Sequence, residues 1–201
     1  MGFFNWAAPM FHRSDTRWTA EDVRIIAGWL GPFVPTGGSL LDIGGGTGGL
    51  AILLARELGA NVTVLDPTPE MVRYVPSNVG VEVVLGEAEA MPLPSGAFDA
   101  ALMSDSFHHL RDQRVALRET ARVLRADGGV LVLELDPSGL GVRIVSGVER
   151  LLGEPGGFLT PEAMVRLMAE CGIAGQPEPQ HGASYRFLGR SVQAKQPDCE
   201  A

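Results

Sequence analysis

The chain has 201 residues, enough for one domain with a well-buried core. Hydrophobic content of 45% and charged content of 20% are ordinary for a water-soluble globular protein. A formal net charge of −8, with one lysine (Lys195) and dispersed arginines, argues against nucleic acid or a membrane as partner.

The start, Met1-Gly2-Phe3-Phe4-Asn5-Trp6, lacks the basic and long apolar regions of a signal peptide. Trp6 stands where a myristoylation signal wants Ser or Thr. No apolar run reaches membrane-spanning length, so a cytoplasmic location is expected. Cys171 and Cys199 make neither a disulfide framework nor a metal-ligand spacing, and no Cys/His cluster points to a metal.

Residues 1 to 18 hold Phe3, Phe4, Trp6, Met10, Phe11 and Trp18, too apolar a set for a free tail. Residues 1–38 are expected to pack on the core as an aromatic and helical segment. Thr19 and Asp22 form a capping-box variant. Val23, Ile26, Ala27 and Leu30 then make one apolar helix face, which Gly31-Pro32 ends.

Ser39 to Ile43 reads as the first strand. It breaks into Gly44-Gly45-Gly46-Thr47-Gly48-Gly49, and a helical run from Leu50 to Leu58 follows. Strand, glycine turn and helix offer bare backbone amides to a polar ligand. Two ligand classes fit. Gly44-x-Gly46-x-x-Gly49, with Asp66 about 20 residues on, matches a dinucleotide fingerprint. Asp42, two residues before the first glycine, would repel a diphosphate and attract a cationic ligand.

Asn61 to Asp66 is the second strand, with a helical stretch near Pro69 to Tyr74. Val79 to Leu85 is the third and Ala97 to Met103 the fourth. A helix over Asp112 to Leu124 is ended by Arg125-Ala126-Asp127-Gly128-Gly129, and Val130 to Leu135 is the fifth strand. Short continuous apolar strands alternating with helices give an α/β, doubly wound, mostly parallel sheet covered on both faces. Asp42, Asp66, Glu87, Ser104, Asp105, Glu134 and Asp136 fall at strand ends, where such sheets bind ligands. Residues 137–159 break the alternation and read as a small insertion over the active site. Thr160-Pro161 starts a helix whose stripe is Met164, Leu167, Met168 and Cys171. Two short strands near Ile173 to Gln180 and Tyr185 to Gly189 form a hairpin. The catalytic core is thus 39–190, and 191–201 is a polar, disordered tail.

Five segments now carry a resemblance: Leu41 to Gly48, Val64 to Met71, Gly86 to Leu93, Phe98 to Ser104 and Val123 to Gly129. In this order, followed by a hairpin, they resemble the class I S-adenosylmethionine-dependent methyltransferases of the ubiquinone and menaquinone type. The resemblance implies a Rossmann-like seven-stranded sheet of order 3-2-1-4-5-7-6 with strand seven antiparallel. It implies S-adenosylmethionine as cofactor and S-adenosylhomocysteine as product. Gly44, Gly45, Gly46 and Gly48 would let the backbone approach the methionine part, with Asp42 near its ammonium. Asp66 would accept from the ribose hydroxyls, and Pro67 and Met71 would lie on the adenine. Glu87, where relatives carry Asp, would face the adenine amine, and Ala88 would bond adenine through its amide. Ser104 would offer its carbonyl to the ammonium.

The implied chemistry is in-line methyl transfer to a small-molecule acceptor, with positioning worth about 7–11 kcal/mol. His108 and His109 are the candidate catalytic residues, as general base or as structural and cofactor-side groups. His12 and Glu134 are further candidates. An Asp66 that merely caps the next helix is the bland alternative. A dinucleotide-dependent oxidoreductase of another type than Tyr-x-x-x-Lys, and a non-catalytic S-adenosylmethionine-binding protein, remain as rival functions.

Overall fold

The computed structural model describes residues 18–77, 80–151, 153 and 155–192. The expectations for residues 1–17, His12, Val79 as a strand start, Leu152, Cys199 and the tail beyond 192 lie outside the described residues; Ser191, expected in the disordered tail, instead ends the last strand and is buried.

Helix α1 (Ala20–Leu30) starts on the expected box: Asp22 N donates to Thr19 Oγ1 at 3.1 Å, and Thr19 N donates to Asp22 Oδ2 at 2.9 Å. Its face of Val23, Ile26, Ala27 and Leu30 is buried. Strand β1 (Ser39–Ile43), helix α2 (Gly49–Leu58), β2 (Asn61–Asp66), short α3 (Pro69–Val72), β3 (Val81–Leu85) and β4 (Phe98–Ser104) follow. A 3-10 turn (Phe107–His109), α4 (Gln113–Val123), β5 (Leu124–Leu135), α5 (Leu140–Leu151), α6 (Pro161–Glu170), β6 (Ile173–Pro179) and β7 (Ser184–Ser191) complete the domain.

The seven strands form one sheet in the order β3-β2-β1-β4-β5-β7-β6. β7 runs antiparallel to both of its neighbours, and the other pairings are parallel. Asp42 is in register with Val64 on one side and Leu102 on the other, so it stands at the centre of the sheet.

Both faces are covered, which explains the lack of polar alternation in the strands. Leu41 and Ile43 pack into a layer with Leu117, Val132, Met164 and Met168. Leu40 packs into the opposite layer with Ile26, Leu30, Leu54 and Leu131. Successive side chains of one strand thus enter two different cores. Met164 and Met168 are fully buried and serve packing, each worth about 1.5–3 kcal/mol.

β5 begins earlier than the sequence suggests. Leu124 pairs with Phe98, the register then shifts, and Gly129 pairs with Ala100. Residues 125–128 bulge out between these pairs, with Asp127 in left-handed backbone at φ 62°. The turn-forming Ala126-Asp127-Gly128 is therefore real, but it interrupts a strand rather than preceding one. Arg125 pairs with Asp99, whose other oxygen accepts from Ser39 N at 2.8 Å. No helix among the described residues is long and apolar enough to cross a membrane.

Candidate functional site

The carboxyl ends of β1, β2 and β4 converge on a cavity of about 250 Å³. The turn after β1 forms its floor. Gly44 is left-handed at φ 72°, and a Cβ there would lie 2.6 Å from Ser106 Cβ. Only glycine lets the turn close on the loop after β4. Ser106 Oγ completes the junction by donating to Ile43 O at 2.7 Å.

Asp66 ties the floor to β2. Gly46 N donates to Asp66 Oδ2 at 3.0 Å, and Thr68 N donates to Asp66 Oδ1 at 2.8 Å. Thr68 is the N-cap of α3, with no capping bond from its own side chain. Asp66 therefore organises the entry to α3 and also lines the cavity. The Thr68 side chain also bonds this carboxylate, which leaves part of its acceptor capacity for a ligand hydroxyl.

Asp42 is 3% exposed and close in the field of Asp66. Burial, reinforced by the Asp66 charge, pushes its pKa up to about 7. Burial also raises Asp66, opposed by the amides of Thr68 and Gly46. Two buried carboxylates facing one cavity favour a cationic ligand and oppose a diphosphate. Ser104 Oγ adds a buried polar atom without a protein partner on the same wall. The donor set thus fits S-adenosylmethionine, with its ammonium, sulfonium and ribose diol.

Of the expected residues, Asp42, Gly44, Gly45, Gly46, Asp66, Pro67, Met71, Glu87, Ala88, Ser104 and His109 all line the cavity. Two do not. Gly48 is the left-handed N-cap of α2, and the space beside its Cα belongs to Val75. Its part is to turn the chain. His108 points into the protein, 4% exposed, with Nδ1 2.7 Å from Glu134 Oε1 and its ring stacked on Phe158 at 4.0 Å. His108 is therefore not placed to touch an acceptor.

His109 does face the cavity, but burial and the neighbouring His108 push its pKa down to about 3. Its ring is neutral at neutral pH. Glu87 sits at the exposed rim, where Arg111 Nη1 donates to it at 3.2 Å. The helix of the 137–159 insertion, expected over the site, contributes no lining residue. Its trailing loop instead braces the 3-10 turn: Gly157 N donates to His108 O at 2.8 Å, and Gln113 Nε2 donates to both Phe107 O and Gly157 O.

Trp18, Glu89, Asp105, Leu110 and Arg111 also line the cavity. Trp18 stands directly before the Thr19 cap, the one signal that would have found it. Asp105 holds left-handed backbone at φ 51° just past β4. Arg111 carries no motif; it is a single arginine in a loop. Among the described residues, no group of His, Cys, Asp and Glu is arranged to hold a metal.

A family profile described as a methyltransferase domain matches residues 41–132. The demethylmenaquinone methyltransferase of Thermus thermophilus is 33% identical over 164 residues, covering 67% of this chain and 74% of that protein. The chain is a class I S-adenosylmethionine-dependent methyltransferase. The methyltransferase also matches the 2-methyl-6-phytyl-1,4-hydroquinone methyltransferase of Synechocystis, 33% identical over 116 residues, but spans only 36% of that protein. Its fold is that of a possible histamine N-methyltransferase from Thermotoga maritima, with TM-score 0.73, 23% identity, and coverage of 94% of this chain and 98% of that one. S-adenosylmethionine is thus the cofactor of this methyltransferase, and the oxidoreductase and non-catalytic readings fall.

Proposed function

We propose that this methyltransferase transfers its methyl group by in-line displacement to a small, partly apolar acceptor, a hydroquinone-type ring being the favoured class. One observation carries the reading. A single cavity joins the acidic glycine floor of Asp42, Gly46 and Asp66 to a wall of Trp18, His109 and Leu110. The names of the two quinone-related relatives point to the same acceptor class.

S-adenosylmethionine, when bound, supplies a methyl group already activated on a sulfonium. The chain's residues are left with binding and alignment. Gly44, Gly45 and Gly46 present bare backbone to the methionine part, and Asp42 attracts its positive charge. Asp66 accepts from the ribose diol, a pairing that suits a charged two-oxygen acceptor. Pro67 and Met71 flank the adenine, the amide of Ala88 marks its edge, and Ser104 faces the ammonium. Glu87, held at the rim by Arg111, meets the exocyclic amine by leaving that ion pair. Such an exposed pair is worth little, so the exchange costs about 1 kcal/mol or less.

His109 orients the acceptor rather than deprotonating it, and the proton that the methylated acceptor loses passes to solvent. An imidazole with its pKa near 3 is a weak proton acceptor at neutral pH. It remains a good hydrogen-bond partner for a ring hydroxyl. His108, fixed by Glu134 and Phe158, holds the turn that presents it.

The reading is tested by incubating the protein with methyl-labelled S-adenosylmethionine and matched panels of hydroquinones and primary amines. Label transfer to the hydroquinones supports it. Transfer to the amines alone overturns the acceptor class.

A further inference from the structure

The cavity is lined by acids: Asp42, Asp66, Glu87, Glu89 and Asp105. Among the described residues of the lining, Arg111 alone carries a permanent positive charge. An electron-rich ring oxygen that enters the mouth therefore meets negative charge everywhere except at Arg111. The next arginine along the chain is committed elsewhere. Arg114 shares a surface groove with Arg111 beside the mouth, but it is paired with Glu170.

Arg111 is a long side chain on a fixed base. Its amide and that of Asp112 both donate to Glu89 Oε1, at 2.8 and 3.1 Å. Asp112 in turn caps α4, its Oδ1 accepting from Val115 N at 3.0 Å. The guanidinium itself is held by much less. Nη1 donates to Glu87 Oε1 at 3.2 Å, longer than the roughly 2.7–2.9 Å of a tight charge-assisted bond. The two side chains are 79% and 52% exposed, so water screens the pair and it is worth little. The side chain can therefore change partners while the backbone beneath it stays in place.

We propose that Arg111 binds a ring oxygen of the acceptor, and that the cofactor makes it available to do so. In the ligand-free protein Glu87 neutralises the guanidinium. The adenine amine of the bound cofactor takes Glu87, and Arg111 is released into the mouth, two residues along the same loop from His109. There it donates to an oxygen of the hydroquinone-type ring. Both ligand contacts are those of the function proposed above, on which this exchange rests. What it adds is a specificity-determining residue and an order of binding, cofactor first and acceptor second. By linkage, each ligand then strengthens the other by the same factor. That factor cannot exceed what the Glu87 pair is worth, which for an exposed pair is about fivefold at most.

The test is calorimetry on the full chain with S-adenosylhomocysteine and methylhydroquinone, each titrated alone and in the presence of the other. The charges of S-adenosylhomocysteine cancel, so removing an arginine does not by itself attract it. The parent should bind methylhydroquinone about two- to fivefold more tightly when S-adenosylhomocysteine is present. Arg111→Met should move the two affinities in opposite directions. S-adenosylhomocysteine should tighten by up to about fivefold, because Glu87 has no pair to leave. Methylhydroquinone should weaken roughly tenfold, the loss of a hydrogen bond from a charged donor. Glu87→Gln keeps an acceptor for the adenine amine and leaves Arg111 without its ion pair, so it should bind methylhydroquinone equally well with and without S-adenosylhomocysteine. An Arg111→Met variant that loses both affinities overturns the proposal, since the residue is then structural. If the parent binds methylhydroquinone and Arg111→Met binds it equally, or if the parent shows no coupling, the proposal fails while the hydroquinone reading stands. If the parent binds S-adenosylhomocysteine but never methylhydroquinone, both fall.

Discussion

His108 and Glu134 form a buried pair, with Nδ1 2.7 Å from Oε1 and exposures of 4% and 1%. The pair joins the turn after β4 to the end of β5, and Phe158 closes over it. Removing one partner leaves the other buried in a dry environment. His108→Ala should therefore destabilise the fold by about 1–3 kcal/mol in urea titrations. His108→Gln, which restores a donor, should lose clearly less. Equal losses would mean that ring packing on Phe158, and not the polar pair, is what the turn needs.

Asp66 ties the glycine turn to the start of α3 and, as proposed, accepts from the cofactor's ribose. Asp66→Asn keeps the shape but removes the charge and makes one oxygen a donor facing the amide of Gly46 or Thr68. Hydrogen bonds to a charged group are worth about 1.5–3 kcal/mol each. Affinity for S-adenosylhomocysteine should fall at least tenfold by calorimetry, with Asp66→Ala no better.

With Asp42 beside the cofactor's positive charge as proposed, cofactor binding should depend on pH. Its folded pKa near 7 lies above the ordinary 3.8, so the folded protein holds this proton more tightly than the unfolded chain does. The contribution of Asp42 to stability is therefore lost as pH rises from about 4 to 7, and the penalty is complete above 7. Asp42→Asn should stabilise the ligand-free protein at pH 8 by at least about 1 kcal/mol. A cationic cofactor prefers the ionised form, so parent affinity for S-adenosylmethionine should fall as pH drops below 7. That dependence should flatten in the variant. A parent with no pH dependence between 5.5 and 8 would refute the role.

Gly44 has no room for a side chain. Its left-handed backbone and the 2.6 Å approach to Ser106 Cβ act together. Gly44→Ala should open the junction between the β1 turn and the β4 loop, lowering both the melting temperature and cofactor affinity. An alanine variant that binds as the parent does would show that the loop yields freely.

His109 separates orientation from proton removal. If it orients, His109→Asn should keep more activity than His109→Ala, and the pH–rate profile should show no change attributable to this ring between 5.5 and 8. Loss of an acidic limb in the His109→Asn profile would restore the general-base role.

Much of this arrangement was legible in the residues. Asp42 and the glycines after it announce a turn, and Asp66 announces its partner, because strand, turn and acid are local features with strong stereochemical demands. The antiparallel pairing of β6 with β7 was legible from the short turn between them, whereas the place of β7 beside β5 came from resemblance, since a short apolar run does not name its neighbour. Arg111, Trp18 and Asp105 were not legible as lining residues, because a single loop residue carries no periodicity. The roles of the two adjacent histidines were equally hidden: one residue of offset in a 3-10 turn sends His109 to the cavity and His108 to Glu134. The exposure of α5 was invisible for a related reason. Val142, Ile144, Val145 and Val148 have the spacing of a helix that packs, and the sequence does not say that of these only Val142 is buried.

The most direct test is a calorimetric titration of S-adenosylmethionine, S-adenosylhomocysteine and NADH into the parent protein and Asp66→Ala. Both sulfur cofactors should bind the parent, weaken at least tenfold in the variant, and leave NADH without measurable heat. Binding of NADH, or unchanged cofactor binding by Asp66→Ala, would contradict the assignment of the acidic glycine floor as the S-adenosylmethionine site.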